Sequence, residues 1–194
     1  MSLKRYVNSA WQDVSTLKKY ANGAWTDCEF ARKYEKSAWT DVWSGKTLEA
    51  SCGIGTSGTN GTLTVDGDSF TYECLLTSGT SITMTIDISS LNTQSVELSG
   101  TMEYINVGSG MNLQVLIQAE KTNTATGDSG GTIGGFQGTG STSIQTYDLS
   151  KLKFTSSGYD VITQIKIVLT RKGYAKFKNF KVNGYKVVPV AVKK

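Results

Sequence analysis

Carboxylate side chains recur along the sequence, and a suitably spaced pair of them could hydrolyse a glycosidic bond. Glu97 and Glu103 lie on one face of a predicted strand, about 20 Å apart at about 3.3 Å per residue, which is too far for a catalytic pair. Glu103 and Glu120 could approach each other across strands. The sequence contains no histidine to act as general base or to complete a Ser-His-Asp arrangement. We therefore predict that the protein is not an enzyme.

Polar and aromatic side chains outside the predicted core could instead bind a sugar without chemistry. Amide and charged groups form bidentate hydrogen bonds with hydroxyls, and an aromatic ring supplies contact area. The predicted carbohydrate-binding residues are Glu103, Gln114, Gln118, Phe136, Tyr147 and Tyr159, with Glu120, Lys166 and Tyr174 as further candidates. The alternative is that these side chains only form a solvated sheet face and fill loops.

Three cysteines are present, and no pair has the spacing of metal ligands. Cys28 occupies a position that holds Val14 and Val42 in two related segments, so it is interpreted as a small buried residue. Cys52 and Cys74 could pair if their strands are neighbours. Nothing in the sequence indicates an oxidising compartment, so we predict free thiols.

The elements that must position these residues begin with a repeat. Three anchors recur every 14 residues: Tyr6, Tyr20 and Tyr34; Trp11, Trp25 and Trp39; and Asp13, Asp27 and Asp41. Asn22-Gly23 is a strong signal for a two-residue hairpin turn, which sets each tyrosine opposite a tryptophan as a cross-strand pair. We predict that these aromatic pairs are structural, in a stalk, docking element or oligomer contact. The competing interpretation is an aromatic array that binds a ligand.

The run from Lys19 to Tyr34, which contains the second repeat, resembles the tandem KYVNGAWTD repeats of prophage tail, baseplate and tail-fibre proteins of Gram-positive bacteria. The resemblance covers about residues 4–45. It implies a virion structural or host-recognition context.

From Lys46 onward, apolar and polar residues alternate with period two. The clearest strands contain Ile82–Ile88, Val96–Tyr104, Leu113–Ala119 and Ile165–Leu169, and further strands are predicted near 61–66, 69–76, 144–149 and 174–182. One apolar face on each strand is typical of antiparallel sheets packed over a common core. Eight predicted strands of this kind indicate a sandwich or jelly roll.

The glycine-rich segment 127–138 lies between two predicted strands. It is not expected to cradle phosphate, because that requires a helix N-terminus. We interpret it as a mobile loop, anchored by Ile133 and Phe136, at the rim of a binding site.

The segment from Asp160 to Val182 resembles the closing strands of carbohydrate-binding modules with a galactose-binding-like jelly roll, which often end in an FDDV or FDNV run. Lys178 stands where that family commonly has aspartate, so the family's structural calcium is unsupported and no cofactor is predicted. The apolar phase slips by one residue between Phe177 and Phe180. A bulge there would bury both rings.

Charge is unevenly distributed along the chain. Residues 46–150 carry 2 basic and 10 acidic side chains, whereas residues 151–194 carry 11 basic and 1 acidic side chain. A basic segment can bind nucleic acid or another polyanion, but lysines also protect exposed strand edges. Because the basic residues are not interleaved with an aromatic platform, we expect no nucleic-acid partner.

Neither a signal peptide nor a membrane-spanning stretch is evident, so we expect cytoplasmic synthesis, no membrane partner and action in a virion or after lysis.

These observations predict an all-β protein, an antiparallel β-sandwich or jelly roll preceded by three β-hairpin repeats. The predicted domains are the repeats (1–45), the sandwich (46–187) and a basic tail (188–194). We expect a non-catalytic module that binds a cell-surface polysaccharide and contacts other virion proteins or copies of itself. The alternative is a purely structural virion or oligomerisation component without a glycan ligand.

Overall fold

The computed structural model describes ten ranges of the chain. These are 4–7, 10–13, 18–21, 24–27, 30–35, 38–44, 47–55, 58–77, 81–107 and 112–193. The chain divides into two compact units, residues 1–47 with 184–186 and residues 48–183 with 187–194. The predicted turns at 8–9, 22–23 and 36–37, and Cys28, lie outside the described residues.

The N-terminal unit contains three antiparallel hairpins. Their strands are β1 (Lys4–Val7) with β2 (Ala10–Asp13), β3 (Lys18–Ala21) with β4 (Ala24–Asp27), and β5 (Phe30–Glu35) with β6 (Ala38–Ser44). In each hairpin the predicted pair is directly opposite in register: Tyr6 with Trp11, Tyr20 with Trp25, and Tyr34 with Trp39. The hairpin interpretation of the 14-residue repeat is therefore confirmed.

The second unit is a β-sandwich built from the remaining strands. They are β7 (Thr47–Gly53), β8 (Gly61–Asp66), β9 (Ser69–Cys74), β10 (Ser81–Asp87), β11 (Ser95–Asn106), β12 (Gln114–Asn123), β13 (Ser129–Thr139), β14 (Gln145–Asp148), β15 (Lys153–Thr155), β16 (Asp160–Thr170), β17 (Gly173–Val182) and β18 (Tyr185–Val192). The predicted all-β class is confirmed. The strands predicted near 61–66, 69–76, 144–149 and 174–182 correspond to β8, β9, β14 and β17.

The strands form two layers joined by β18. The first sheet has the order β13-β12-β16-β10-β7, and the second contains β8, β9, β17 and β11, with β14 and β15 both paired to β11. β18 pairs with β17 and with β7 and so connects the layers. Every pairing whose register is defined in the described residues is antiparallel.

The two layers bury different kinds of side chain. The first sheet contributes aliphatic residues, among them Ile86, Ile117, Ile165 and Ile167, all fully buried. The second adds aromatic residues, among them Phe70, Tyr72, Phe177 and Phe180, to aliphatic ones such as Leu98 and Val182. Burying each such side chain stabilises the fold by about 1.5–3 kcal/mol before entropy is counted. The core therefore lies between the inward faces, and the polar residues of both sheets face outward.

The predicted bulge in β17 is confirmed. Phe177 and Phe180 are both buried, with ring centroids 5.3 Å apart, although they are three residues apart in the strand. Asn179 takes a positive φ of 52°, and the register with β11 shifts between Ser99 and Thr101. Gly100 has a φ of 103°, and a Cβ there would lie 2.5 Å from the Lys178 carbonyl oxygen. Only glycine fits this position.

The interpretation of residues 127–138 as a mobile loop is wrong, because most of them form β13 at the edge of the first sheet. Two of its glycines have packing reasons: a Cβ on Gly135 would lie 2.6 Å from the Phe154 ring, and one on Gly138 would lie 2.5 Å from the Phe136 ring. Glycine has no side chain to show alternation, so the strand left no periodic signal.

The end of the chain also differs from the expectation. The division predicted between residues 187 and 188 falls inside β18, because the valine-rich run continues the strand to Val192.

Cys52 and Cys74 are buried free thiols, and burial raises the pKa of Cys52 to about 12. Within the described ranges, the structure has no helix with the length and apolar character needed to cross a membrane.

Candidate functional site

A cleft of about 790 Å³ lies on the outward face of the first sheet. Its floor is formed by alternate residues of three neighbouring strands, and its rim by the segment after β7 and the end of β18. The lining residues are Glu49, Ser51, Gly53, Gly55, Asn60, Ser81, Ile82, Thr83, Thr85, Asp87, Gln164, Lys166 and Val192. Successive residues of a strand point to opposite faces of the sheet. The residues that precede and follow the floor residues therefore enter the core, and the floor itself is polar.

Strand pairing arranges the floor in rows that cross the sheet. Ser51 is opposite Thr85, Thr85 is opposite Lys166, and Lys166 is opposite Gln118. The row ends at Gly134 on β13, where a Cβ would meet no atom within 4 Å. Neighbouring strands are about 4.8 Å apart. Hydroxyl, ammonium and amide groups therefore stand at short, regular intervals on one open surface.

The cleft is lined by more acidic than basic side chains. Lys166 Nζ donates to Glu120 Oε1 at 2.5 Å and is therefore engaged with that carboxylate. Asp87 Oδ1 accepts hydrogen bonds from the Ser89 hydroxyl at 2.7 Å and from its backbone N–H at 2.9 Å, which hold the pKa of Asp87 below its usual value. With Glu49 also lining the cleft, the surface carries more negative than positive charge. Such a surface disfavours anionic ligands.

The structure brings some predicted site residues to this face and separates others. Gln114 and Gln118 project from β12 on the same outward face as Lys166 and Glu120, beside the cleft. Glu103 lies on the outward face of the second sheet, where its Oε1 accepts a hydrogen bond from Lys178 Nζ at 2.6 Å. Glu103 and Glu120 therefore face away from each other and cannot flank one bond.

The predicted aromatic residues do not line the cleft. Phe136 packs on Tyr147 with ring centroids 4.1 Å apart and on Tyr104 at 5.8 Å, so these rings close the side of the sandwich between β13 and β14. Tyr159 is 71% exposed before β16, and its carbonyl oxygen accepts hydrogen bonds from Thr124. Tyr174 faces outward on the second sheet, opposite Glu73 and Ile105.

Several lining residues were not singled out from the sequence. β7 was not assigned as a strand, although Leu48, Ala50 and Cys52 alternate with Glu49 and Ser51. Thr83, Thr85, Asp87 and Gln164 were recognised only as the polar side of their strands. The alternation could have found β7, but only strand pairing shows that these side chains share one surface.

The donor set suits hydrogen bonding to hydroxyl groups. Across the described ranges, no group of three or more Cys, Asp or Glu side chains is arranged to hold a metal ion. The floor offers hydroxyl and amide groups that both donate and accept, together with carboxylates that accept. This combination matches the alternating donor and acceptor character of a polyol surface.

Comparisons with known proteins give structural likenesses only. No protein family matches the chain, and no curated protein sequence matches it. Among solved structures, a family 29 carbohydrate-binding module is similar at 13% identity, covering 79% of this chain and 84% of that chain, with a TM-score of 0.40. A mutant of such a module complexed with mannohexaose is similar at 15% identity over 63% of this chain and 74% of that chain, also with a TM-score of 0.40. A family 4 carbohydrate-binding module has 10% identity over 64% of this chain and 77% of that chain, with a TM-score of 0.34. Because all three scores lie below 0.5, function has to be inferred from this chain's own residues.

Proposed function

We propose that this protein is a non-catalytic carbohydrate-binding module that holds a polysaccharide in the cleft of the first sheet. The observation that carries the proposal is the polar floor of Ser51, Thr85, Gln164 and Lys166, arranged at strand spacing beneath an open cleft. Each hydroxyl or amide can make a net contribution of about 0.5–1.5 kcal/mol through a hydrogen bond to a sugar hydroxyl. The excess of carboxylates favours a neutral polysaccharide over an acidic one.

We further propose that the module belongs to a phage or prophage tail structure and recognises a host surface polysaccharide. The resemblance of residues 4–45 to tail-protein repeats supports this context, and the three hairpins would connect the sandwich to other virion proteins or to copies of the same chain. The protein would then be made in the cytoplasm and act in the virion or outside the cell after lysis. Cell-adsorption assays with intact Gram-positive cells test this part separately from binding to purified glycans.

A matched pair of threonine variants tests the cleft. Thr85 and Thr71 are both half-buried, outward-facing residues on interior strands, one in each sheet. We expect Thr85→Ala and Gln164→Ala to weaken binding of a neutral polysaccharide roughly 2- to 12-fold, the equivalent of one hydrogen bond. Thr71→Ala should bind like the unmodified protein. Affinity electrophoresis measures both, after a glycan array has identified the polysaccharide. Equal loss in the Thr71 and Thr85 variants would contradict a site on the first sheet.

A second candidate function is a structural component whose outward faces pack against partner chains. One observation favours it: among the described residues that line the cleft, none is aromatic, whereas sugar sites commonly use an aromatic ring as contact area. Light scattering on the full chain distinguishes the two. A stable oligomer in which Thr85→Arg prevents assembly would favour the structural role, and a monomer that binds glycan would favour recognition.

A further inference from the structure

The connection between β16 and β17 holds an unusual backbone conformation. Arg171 and Lys172 carry the chain from the first sheet to the second, and Arg171 has a φ of 75°. The other non-glycine residues with positive φ in the described part of the chain are Asn92, Asn179 and Asn183, and asparagine tolerates this region. Arginine does not, and a non-glycine residue in a sparsely populated region costs about 1–3 kcal/mol.

The Arg171 side chain adds a second unfavourable feature. Its Nε is buried, and no hydrogen-bond acceptor among the described residues satisfies it. A buried unsatisfied donor is expected to cost a further 1–3 kcal/mol or so. Among the described residues, the guanidinium forms one long hydrogen bond, from Nη1 to the Asn112 carbonyl oxygen at 3.4 Å. Within the described structure, both the backbone conformation and the unsatisfied Nε therefore oppose an arginine at this position.

The charge around this connection is not neutralised by the described residues. Arg171 and Lys172 are adjacent and half-buried, and neither forms an ion pair with a described residue. The acidic residue on the neighbouring strand, Glu73, lies opposite Tyr174 and accepts a hydrogen bond from the Thr62 hydroxyl at 3.1 Å, and in the described structure it forms no ion pair with either cation. Arg171 and Lys172, adjacent in sequence, thus stand at one end of the sandwich without a described carboxylate partner, and the Arg171 Nε is an unsatisfied donor.

From this geometry we infer that the connection at Arg171 and Lys172 is an anion-binding point that takes a carboxylate or phosphate group. The guanidinium presents its terminal nitrogens in a planar fork that matches both groups, and Lys172 supplies a second charge. This inference goes beyond the proposed function and does not depend on the cleft, which favours neutral ligands. The anionic group could belong to an acidic surface polymer or to a small soluble ion.

The decisive variant is Arg171→Gly, because binding and structural roles predict opposite results. Glycine removes the strain at positive φ and the unsatisfied Nε, so the melting temperature should stay the same or rise. The affinity for phosphate-bearing or carboxylate-bearing probes should fall roughly tenfold or more, as expected for losing a charge-assisted hydrogen-bond pair. Lys193→Ala removes an equal charge elsewhere, and its affinity should stay within about twofold of the unmodified protein.

Four probes at constant ionic strength identify the source of the anion. They are inorganic phosphate, acetate, polyphosphate and polygalacturonate, and binding is followed through the arginine Nε–H signals and through affinity electrophoresis. Response to the small ions as well as the polymers indicates a soluble ion, and response to the polymers alone indicates an acidic polymer. The inference is overturned if none of the four exceeds the effect of chloride, or if Arg171→Gly lowers the melting temperature and binds the probes unchanged.

Discussion

The two sheets of the sandwich obey the same alternation but differ on both faces. The first sheet buries aliphatic side chains and carries an open cleft floored by hydroxyl, amide and carboxylate groups. The second buries stacked phenylalanines and presents outward lysines on β17, of which Lys178 is paired with Glu103. A polar outward face is therefore not sufficient for a site. The first sheet also has walls, which are supplied by Gly55, Asn60 and the end of β18.

The largest expected contrast between the sheets lies in two glycines. Gly100→Ala should destabilise the protein by about 2–5 kcal/mol, because the new Cβ would meet the Lys178 and Asn179 carbonyl oxygens at a φ that glycine alone accepts. Gly134→Ala on β13 has open space and no positive φ, so stability should be unchanged or up to about 1 kcal/mol higher. Urea denaturation measures both. Similar losses at the two positions would remove the distinction between a packed bulge and an open edge strand.

A smaller contrast concerns the outward ion pairs. Lys166–Glu120 in the first sheet has exposed side-chain fractions of 28% and 32%, and Lys178–Glu103 in the second has 43% and 26%. Double-mutant cycles with alanine should give coupling energies of at most about 1 kcal/mol for each pair, with the less exposed first pair equal or larger. Both couplings should decrease in high salt. A clearly stronger pair in the second sheet would show that exposure does not rank them.

The smallest contrast is in two matching turns. Asp87 and Asp148 each end a strand and accept hydrogen bonds from the hydroxyl and N–H of the serine two residues later, Ser89 and Ser150. These bonds lower the pKa of both carboxyls, and Lys151 lowers that of Asp148 further. Since each folded pKa lies below the unfolded value, the stabilisation is present above the unfolded pKa and is lost as pH falls through the folded pKa.

Carboxyl NMR titration tests this contrast. Ser89→Ala should raise the pKa of Asp87, and Ser150→Ala should raise that of Asp148 by less than its full depression, because Lys151 remains. Ser90→Ala, next to the first turn, serves as the control and should leave Asp87 unchanged. If the pKa of Asp87 were unchanged in Ser89→Ala, the Ser89 hydroxyl would not be the main cause of its lowering.

Much of the fold was predictable because it depends on local alternation. The phase slip between Phe177 and Phe180 was enough to predict the bulge, and the 14-residue period was enough to predict the hairpins and their facing aromatic residues. β13 was missed because glycines carry no apolar signal. The proposed cleft was predictable only in part: the predicted candidates include Lys166, which lines it, and Gln118, which lies beside it, but Phe136 and Tyr147 pack on each other and Glu103 lies on the other sheet.

The sequence by itself determined which side of each strand is apolar, since side chains alternate regardless of the strand's neighbours. Only the tertiary structure decided which polar sides share a surface, because β7, β10 and β16 are brought together by pairing between residues distant in sequence, such as Ala50 with Ile86 and Ser81 with Thr170. The same long-range pairing placed Arg171 at a sheet-to-sheet connection, where its backbone is held at positive φ. Such placements depend on the free energy of the complete sandwich, and a local sequence pattern is not enough to predict them.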